Sequence, residues 1–395
     1  MTPRKFRFVL SILQLCHECS VVSYGMGMSL YFLVKQLEDG SHTKPGVRGF
    51  PYLDPAQALL LETTSQLEVS GSVLDLTARG GVLALEFQRQ GLEVVALETS
   101  KAAITVLNIT AQKSGFAVLE PQKVFKLENQ FDLVWLILPA DRGNALVRFW
   151  LERAFFFTKP GGRVLVAGDK DKGFERYFKE AKTFFGQAEI LERSKGLRVG
   201  MLEKILLENP IQPESERFVI EARGLKLECE ALSGVFSSGK LDLASKVLLE
   251  HLPNAEGKRV LDIGAGYGAL GGMLALEGAV VTMLEDDWFS VQSIERMIEL
   301  NTLNATVLHS DVDSSLEKTA KFDLIVMNPP FHVGKDVILD VALEFIGAAG
   351  RHLERGGEIW LVANHFLPYE QALASLGRVR EVARDHGFKV LAVQA

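Results

Sequence analysis

The chain repeats itself, and a repeat on this scale decides the architecture before any single residue is interpreted. Val73-Leu74-Asp75-Leu76 and Val260-Leu261-Asp262-Ile263 are both short apolar runs that end beside an aspartate and a loop of small residues. Val94-Val95-Ala96-Leu97-Glu98 and Val281-Thr282-Met283-Leu284-Glu285 both end in a carboxylate; the Asp75/Asp262 and Glu98/Glu285 pairs share an offset of 187 residues. Phe131-Asp132-Leu133-Val134 returns as Phe322-Asp323-Leu324-Ile325 at an offset of 191, and Gly161-Gly162 as Gly356-Gly357 at 195. A slowly drifting offset implies duplication with short insertions. Between these runs, as in 287–301, apolar residues recur at three- and four-residue steps, so strands alternate with helices. That alternation builds a parallel, doubly wound sheet. The expectation is an α/β chain of two tandem Rossmann-like folds, joined around 210–217, where Pro, Glu and Ser accumulate.

Composition agrees with two domains. Of 395 residues, 47% are hydrophobic and 24% charged, which excludes a disordered or collagen-like chain. No run of about 18 apolar residues occurs, so no spanning helix and no membrane partner are expected. Three cysteines make no disulfide framework and point to a reducing, cytoplasmic setting. The N-terminal basic cluster of Arg4, Lys5 and Arg7 and the apolar stretch from Phe8 to Leu15 have the outline of a signal peptide. Ser11 and Gln14 break it, and no small-residue cleavage site follows. Cys16 and Cys19 have metal-ligand spacing, but Cys229 is the one remaining thiol, so no metal site is expected. Residues 1–43 are read as an extension, with translation beginning at Met26 or Met28. Charge is divided unevenly: 26 Lys and Arg face 23 Asp and Glu up to Gln212, whereas 17 face 27 from Pro213 onward. The first half, at +3, is the better candidate to grip a polyanion than the second, at −10.

The second copy carries the chemistry. Asp262-Ile263-Gly264-Ala265-Gly266-Tyr267-Gly268 follows a strand and precedes a helix, where glycines admit a ligand to the backbone and free N–H groups await it. Glu285 lies 21 residues beyond Gly264, at the next strand end, where a carboxylate can accept both hydroxyls of a ribose. Gly264-x-Gly266-x-x-Ala269 also satisfies a relaxed dinucleotide fingerprint, so a nicotinamide oxidoreductase stays open at this point.

The fourth strand narrows the choice. Phe322 to Met327 runs directly into Asn328-Pro329-Pro330-Phe331. An exocyclic amine on a nucleobase is a poor nucleophile, because its lone pair is delocalised into the ring. Acceptors on both amine hydrogens, Asn328 among them, favour a pyramidal nitrogen with its lone pair toward an incoming methyl group. Phe331 can stack on a base that has left its neighbours. Hydride transfer needs none of this.

These motifs resemble those of S-adenosylmethionine-dependent amino-methyltransferases acting on nucleic acids. Pro329-Pro330-Phe331-His332-Val333-Gly334, Gly234-Val235-Phe236-Ser237 and Ala363-Asn364-His365-Phe366-Leu367-Pro368-Tyr369 bring the chain close to the RsmC family of bacterial 16S rRNA guanine-N2 methyltransferases. That resemblance spans about Lys44 to the C-terminus. It implies two methyltransferase folds, the first degenerate: 44–209 for RNA contact, a linker over 210–233, and a catalytic domain over 234–395. It further implies that Asp262, Gly264, Ala265 and Gly266 surround the methionine part of the cofactor. Glu285 would hold the ribose, Asp311 would meet the adenine amino group, and Asp286 would approach the adenine edge. Asn328, Pro329, Pro330 and Phe331 would be catalytic, Asn328 also touching the cofactor, and Asp242 would lie in a loop near the cofactor. The implied partner is 16S rRNA or the small ribosomal subunit. A large-subunit rRNA enzyme, an N6-adenine methyltransferase and a non-enzymatic RNA-binding factor remain alternatives.

The first copy lacks these features. Its glycine loop reads Thr77-Ala78-Arg79-Gly80-Gly81, with Arg79 where the second copy has Gly266, and the catalytic tetrapeptide is replaced by Leu138-Pro139-Ala140-Asp141. Cofactor binding and methylation are not expected there. The segment from Lys170 to Lys182 mixes bases (Lys170, Lys172, Arg176) with aromatics and is expected to contact RNA, the bases on phosphates and the rings on unpaired bases.

Overall fold

The computed structural model describes residues 30–206, 215–232, 235, 239–330 and 335–394. A short hairpin of β1 (Lys35–Gln36) and β2 (His42–Thr43) leads into the first domain. Its sheet comprises β3 (Ser72–Asp75), β4 (Glu93–Leu97), β5 (Ala117–Leu119), β6 (Phe131–Ile137), β7 (Thr158–Asp169), β8 (Gly186–Ser194) and β9 (Leu197–Lys204). A second hairpin, β10 (Glu216–Ala222) and β11 (Leu225–Ala231), precedes the second sheet. That sheet comprises β12 (Arg259–Ile263), β13 (Val280–Glu285), β14 (Ala305–His309), β15 (Phe322–Met327), β16 (Leu353–Asn364), β17 (Arg378–Asp385) and β18 (Phe388–Gln394).

The two sheets have one topology, β5-β4-β3-β6-β7-β9-β8 and β14-β13-β12-β15-β16-β18-β17. Even their irregularities correspond, with register shifts between Phe131 and Leu133 and again between Phe322 and Leu324. The first five strands of each sheet pair parallel, but the last two pair antiparallel. The expected parallel, doubly wound sheet is thus extended by an antiparallel end. The cause is a pair of two-residue turns, Lys195-Gly196 and His386-Gly387, whose residues all have positive φ (45° and 85°; 50° and 83°). Such turns match the twist of adjacent strands and return the chain beside itself.

In the first domain the helices are α1 (Pro55–Thr64), α2 (Val82–Arg89), α3 (Lys101–Ser114), α4 (Asn144–Phe157) and α5 (Phe174–Phe185). The second domain has α6 (Leu243–His251), α7 (Ala269–Leu276), α8 (Trp288–Asn301) and α9 (Lys335–His352). Because helices cover both faces of the parallel strands, these read as continuous apolar runs, and Leu74, Val134, Leu261, Ile325 and Leu361 are fully buried. Among the described residues no helix is long and apolar enough to cross a membrane. The hairpin β10–β11 falls inside the stretch read as linker, yet β11 packs on α7 and α8 of the second domain.

The two halves meet through equivalent residues. The Lys101 N–H donates to the Asp286 carbonyl (2.8 Å), and the Trp288 N–H donates to the Thr99 carbonyl (3.0 Å). Ser100 and Asp287 face each other between them in an antiparallel bridge. With the 187-residue offset these are matching positions, so the contact has local two-fold symmetry. Arg142 adds an ion pair to Asp287. Phe149 and Trp150 of α4 pack edge-on against Phe289 of α8, at 4.9 and 5.5 Å between centroids. These rings join the cores of the two domains into one cluster.

Candidate active site

The carboxyl ends of β12, β13, β14 and β15 gather the residues singled out in the second copy. Asp262 is fully buried at the end of β12, where one oxygen accepts the Gly271 N–H (2.9 Å) and anchors the start of α7. Its other oxygen is buried with no hydrogen-bond partner among the described residues, and burial pushes the carboxyl up to about 7. Gly264 and Gly266 both have positive φ (75° and 62°), and the space ahead of Gly266 is open. Gly264, Ala265 and Gly266 are all partly exposed.

Glu285 closes the far side of this loop. Its carboxylate accepts the Gly266 N–H (2.8 Å) and the Asp287 N–H (3.1 Å). Burial pushes it up to about 7, against those two hydrogen bonds. Asp286 faces the other half: its Oδ1 accepts the Ala102 N–H at the start of α3 (2.8 Å). Burial, and next the charge of Asp311, drive it upward. Asp286 thus helps hold the domains together, an occupation the sequence did not reveal. Asp311, two residues past β14, is buried, with one oxygen on the Tyr31 hydroxyl (2.9 Å) and the other on the Lys44 ammonium (2.6 Å).

Asn328 lies one residue past the last paired position of β15 and is partly exposed. Its Nδ2 donates to Asp242 Oδ2 and to Ser245 Oγ, each at 3.0 Å. A carboxylate only accepts, so the nitrogen side of the amide must face Asp242 and the oxygen side must turn away from it. Asp242 also accepts the Ser245 N–H (3.0 Å) as the N-cap of α6. The resemblance puts Asp242 in a loop near the cofactor; in the structure its carboxylate accepts from Asn328. Pro329 is buried and Pro330 exposed, while Phe331 lies outside the described residues, as do His332 and most of the 234–237 motif. Beyond β16, Phe366 is 70% exposed and Tyr369 is buried.

The first copy preserves the frame but not the opening. The Arg79 N–H donates to Glu98 (2.9 Å), as Gly266 does to Glu285, and Arg79 takes the same positive φ (50°). Its guanidinium pairs with Asp54 (2.8 Å), and the His42 carbonyl stands where a side chain on Gly80 would go. About 10 Å³ of free space remains among His42, Asp54, Gln57 and Arg79. In the second copy nothing lies within 4 Å of the space ahead of Gly266, whereas in the first His42 and Arg79 stand in the corresponding cleft.

Lys170, Lys172 and Arg176 are exposed together on the turn after β7 and on α5. The neighbouring aromatics are not available with them, because Phe174, Tyr177, Phe178 and Phe185 are buried. Helical spacing turns those rings into the core, which corrects the expectation of base stacking in this segment.

The class follows from the family match: this duplicated sheet, open at the glycine loop of one copy, is that of a methyltransferase. The sequence matches the methyltransferase small domain over 40–200 and again over 226–392. Ribosomal RNA small subunit methyltransferase C of Stutzerimonas stutzeri is 32% identical over 70% of this chain and 82% of its own. The namesake from Mannheimia succiniciproducens is 35% identical over 62% and 74%. A T. thermophilus 16S rRNA N2 methyltransferase (RsmC), solved with AdoMet and guanosine, superposes with a TM-score of 0.82 at 39% identity, covering 96% of this chain and 98% of that one. The chain therefore belongs to the methyltransferase small domain family and, within it, to the ribosomal RNA small subunit methyltransferase C family.

Proposed function

We propose that the protein transfers a methyl group from S-adenosylmethionine to the exocyclic N2 amine of a guanine in 16S rRNA, free or within the small ribosomal subunit, in the cytoplasm. The observation that carries this reading is the locked amide of Asn328, whose donor side is held by Asp242 and Ser245. The amide oxygen is left to accept from an amine at the mouth of the open glycine loop.

Asp262, Gly264, Ala265 and Gly266 would hold the methionine portion, Glu285 the ribose, and Asp311 the adenine amine. When bound, S-adenosylmethionine supplies an electrophilic methyl on a sulfonium. Asn328 accepts one amine hydrogen and keeps the nitrogen lone pair directed at that carbon. The methylated nitrogen carries an extra, acidic proton that passes to water, so no side chain has to act as a strong base. Lys170, Lys172 and Arg176 of the first domain would take the RNA backbone. Supporting the division of labour, the first domain's cofactor cleft is filled by its own chain.

The test is methyl incorporation from labelled cofactor into rRNA, followed by nuclease mapping of the product. Asn328→Ala should lower turnover by about 100- to 1,000-fold, or about 2.7–4 kcal/mol by analogy with the loss of one oriented oxyanion-hole donor. Cofactor affinity should change little. Full turnover in that variant, or label found only on adenine, would refute the reading.

A further inference from the structure

A lysine from the first half is buried inside the second half's site. Lys44 is 1% exposed, and its ammonium lies 2.6 Å from Asp311 Oδ2 and 2.8 Å from the Pro45 carbonyl. It also sits 3.9 Å from the centre of the Tyr31 ring. The Tyr31 hydroxyl takes the other Asp311 oxygen at 2.9 Å. Tyr31 is rooted in the second domain's core, in one cluster with Leu261, Ile263, Leu284 and Phe345. A side chain on Gly46 would strike the Tyr31 hydroxyl, so the segment fits closely around it.

Burying an ammonium is costly unless it is paired and hydrogen-bonded, and this one meets both conditions at Asp311. Two donors, one per oxygen, fix the plane of the carboxylate. An ionised carboxylate has about four acceptor positions, so capacity remains for a further donor. We propose that Lys44 and Tyr31 are positioning residues for Asp311, so that the first half of the chain decides whether the second half distinguishes adenine from other purine rings. This inference rests on the cofactor reading above.

The test uses titration calorimetry on the full chain with S-adenosylhomocysteine and S-inosylhomocysteine, which carry a 6-amino and a 6-oxo group respectively. Wild type should prefer the amino compound by about tenfold or more, the value of one hydrogen bond to a charged group. Lys44→Met keeps the stem and removes the charge. Without that donor the plane of the Asp311 carboxylate is no longer fixed, so the preference should fall below about threefold. Tyr31→Phe, which keeps the packing, should reduce it by a smaller factor and serves if Lys44→Met does not fold. A merely structural role would weaken both compounds alike and leave their ratio unchanged; that result in both variants overturns the proposal. Wild type that binds neither compound would overturn the cofactor reading itself.

Discussion

Asp242→Asn isolates the orientation of Asn328 from everything else Asp242 does. Asp242 makes two contacts through one oxygen, the cap on Ser245 and the acceptor for Asn328 Nδ2, both at 3.0 Å. Asparagine caps a helix as well as aspartate does, so α6 should keep its stability. What changes is the charge. A hydrogen bond to an ionised partner contributes about 1.5–3 kcal/mol and a neutral one about 0.5–1.5, so the loss is about 1–1.5 kcal/mol, or about tenfold. A neutral amide also offers N–H groups, so Asn328 can turn over and present its nitrogen to the substrate. Ser245 Oγ supports either orientation, because a hydroxyl both donates and accepts. Single-turnover transfer from tritiated cofactor to rRNA, at saturating cofactor, should slow by about tenfold, with cofactor affinity changed by less than about twofold. Unchanged transfer would mean that Asn328 does not owe its orientation to the Asp242 charge.

Two further predictions concern binding. Burial pushes Glu285 up to about 7, and ribose hydroxyls donate to the ionised carboxylate, so cofactor affinity should be steady above pH 7 and fall toward tenfold per unit below it. Glu285→Gln should weaken binding at pH 8 and reduce that slope by one proton in calorimetry; an unaltered slope would place the ribose elsewhere. Replacing Lys170, Lys172 and Arg176 together with Ala should weaken RNA binding and flatten its log–log salt dependence by about 2, at about 0.7 per phosphate on a single strand. Filter binding at several salt concentrations reads this, and equal affinity in wild type and variant removes the segment from the RNA path.

The repeat made the fold legible. Asp75/Asp262 and Glu98/Glu285 lie within one residue of the ends of matching strands, as their spacing required. The antiparallel ends were not read, although Lys195-Gly196 and His386-Gly387 stood in the sequence as hairpin signals. The glycine loop, Glu285 and Asn328 were visible because each sits at a fixed distance from a strand end. Lys44, Tyr31 and Ser245 were not, because their roles arise from contacts across 267, 280 and 83 residues of sequence. The aromatics of α5 misled for a different reason: composition shows that bases and rings alternate, whereas only helical geometry shows which of them reach solvent.

The seam between the halves has a consequence that two separate, identical chains could not achieve. In a true dimer, one codon sets both sides of the axis, so whatever residue stands at the centre meets its own copy. An aspartate there would confront an aspartate, with like charges opposed across the bridge. A serine on both sides would leave Arg142 without its carboxylate. Here Ser100 faces Asp287, each caps its own helix, and Thr99 and Arg142 both donate to Asp287. Joining the copies in one chain permits a different residue on each side of a symmetric contact. The same freedom leaves Arg79 across the molecule from Gly266: one half closes its cleft while the other stays open.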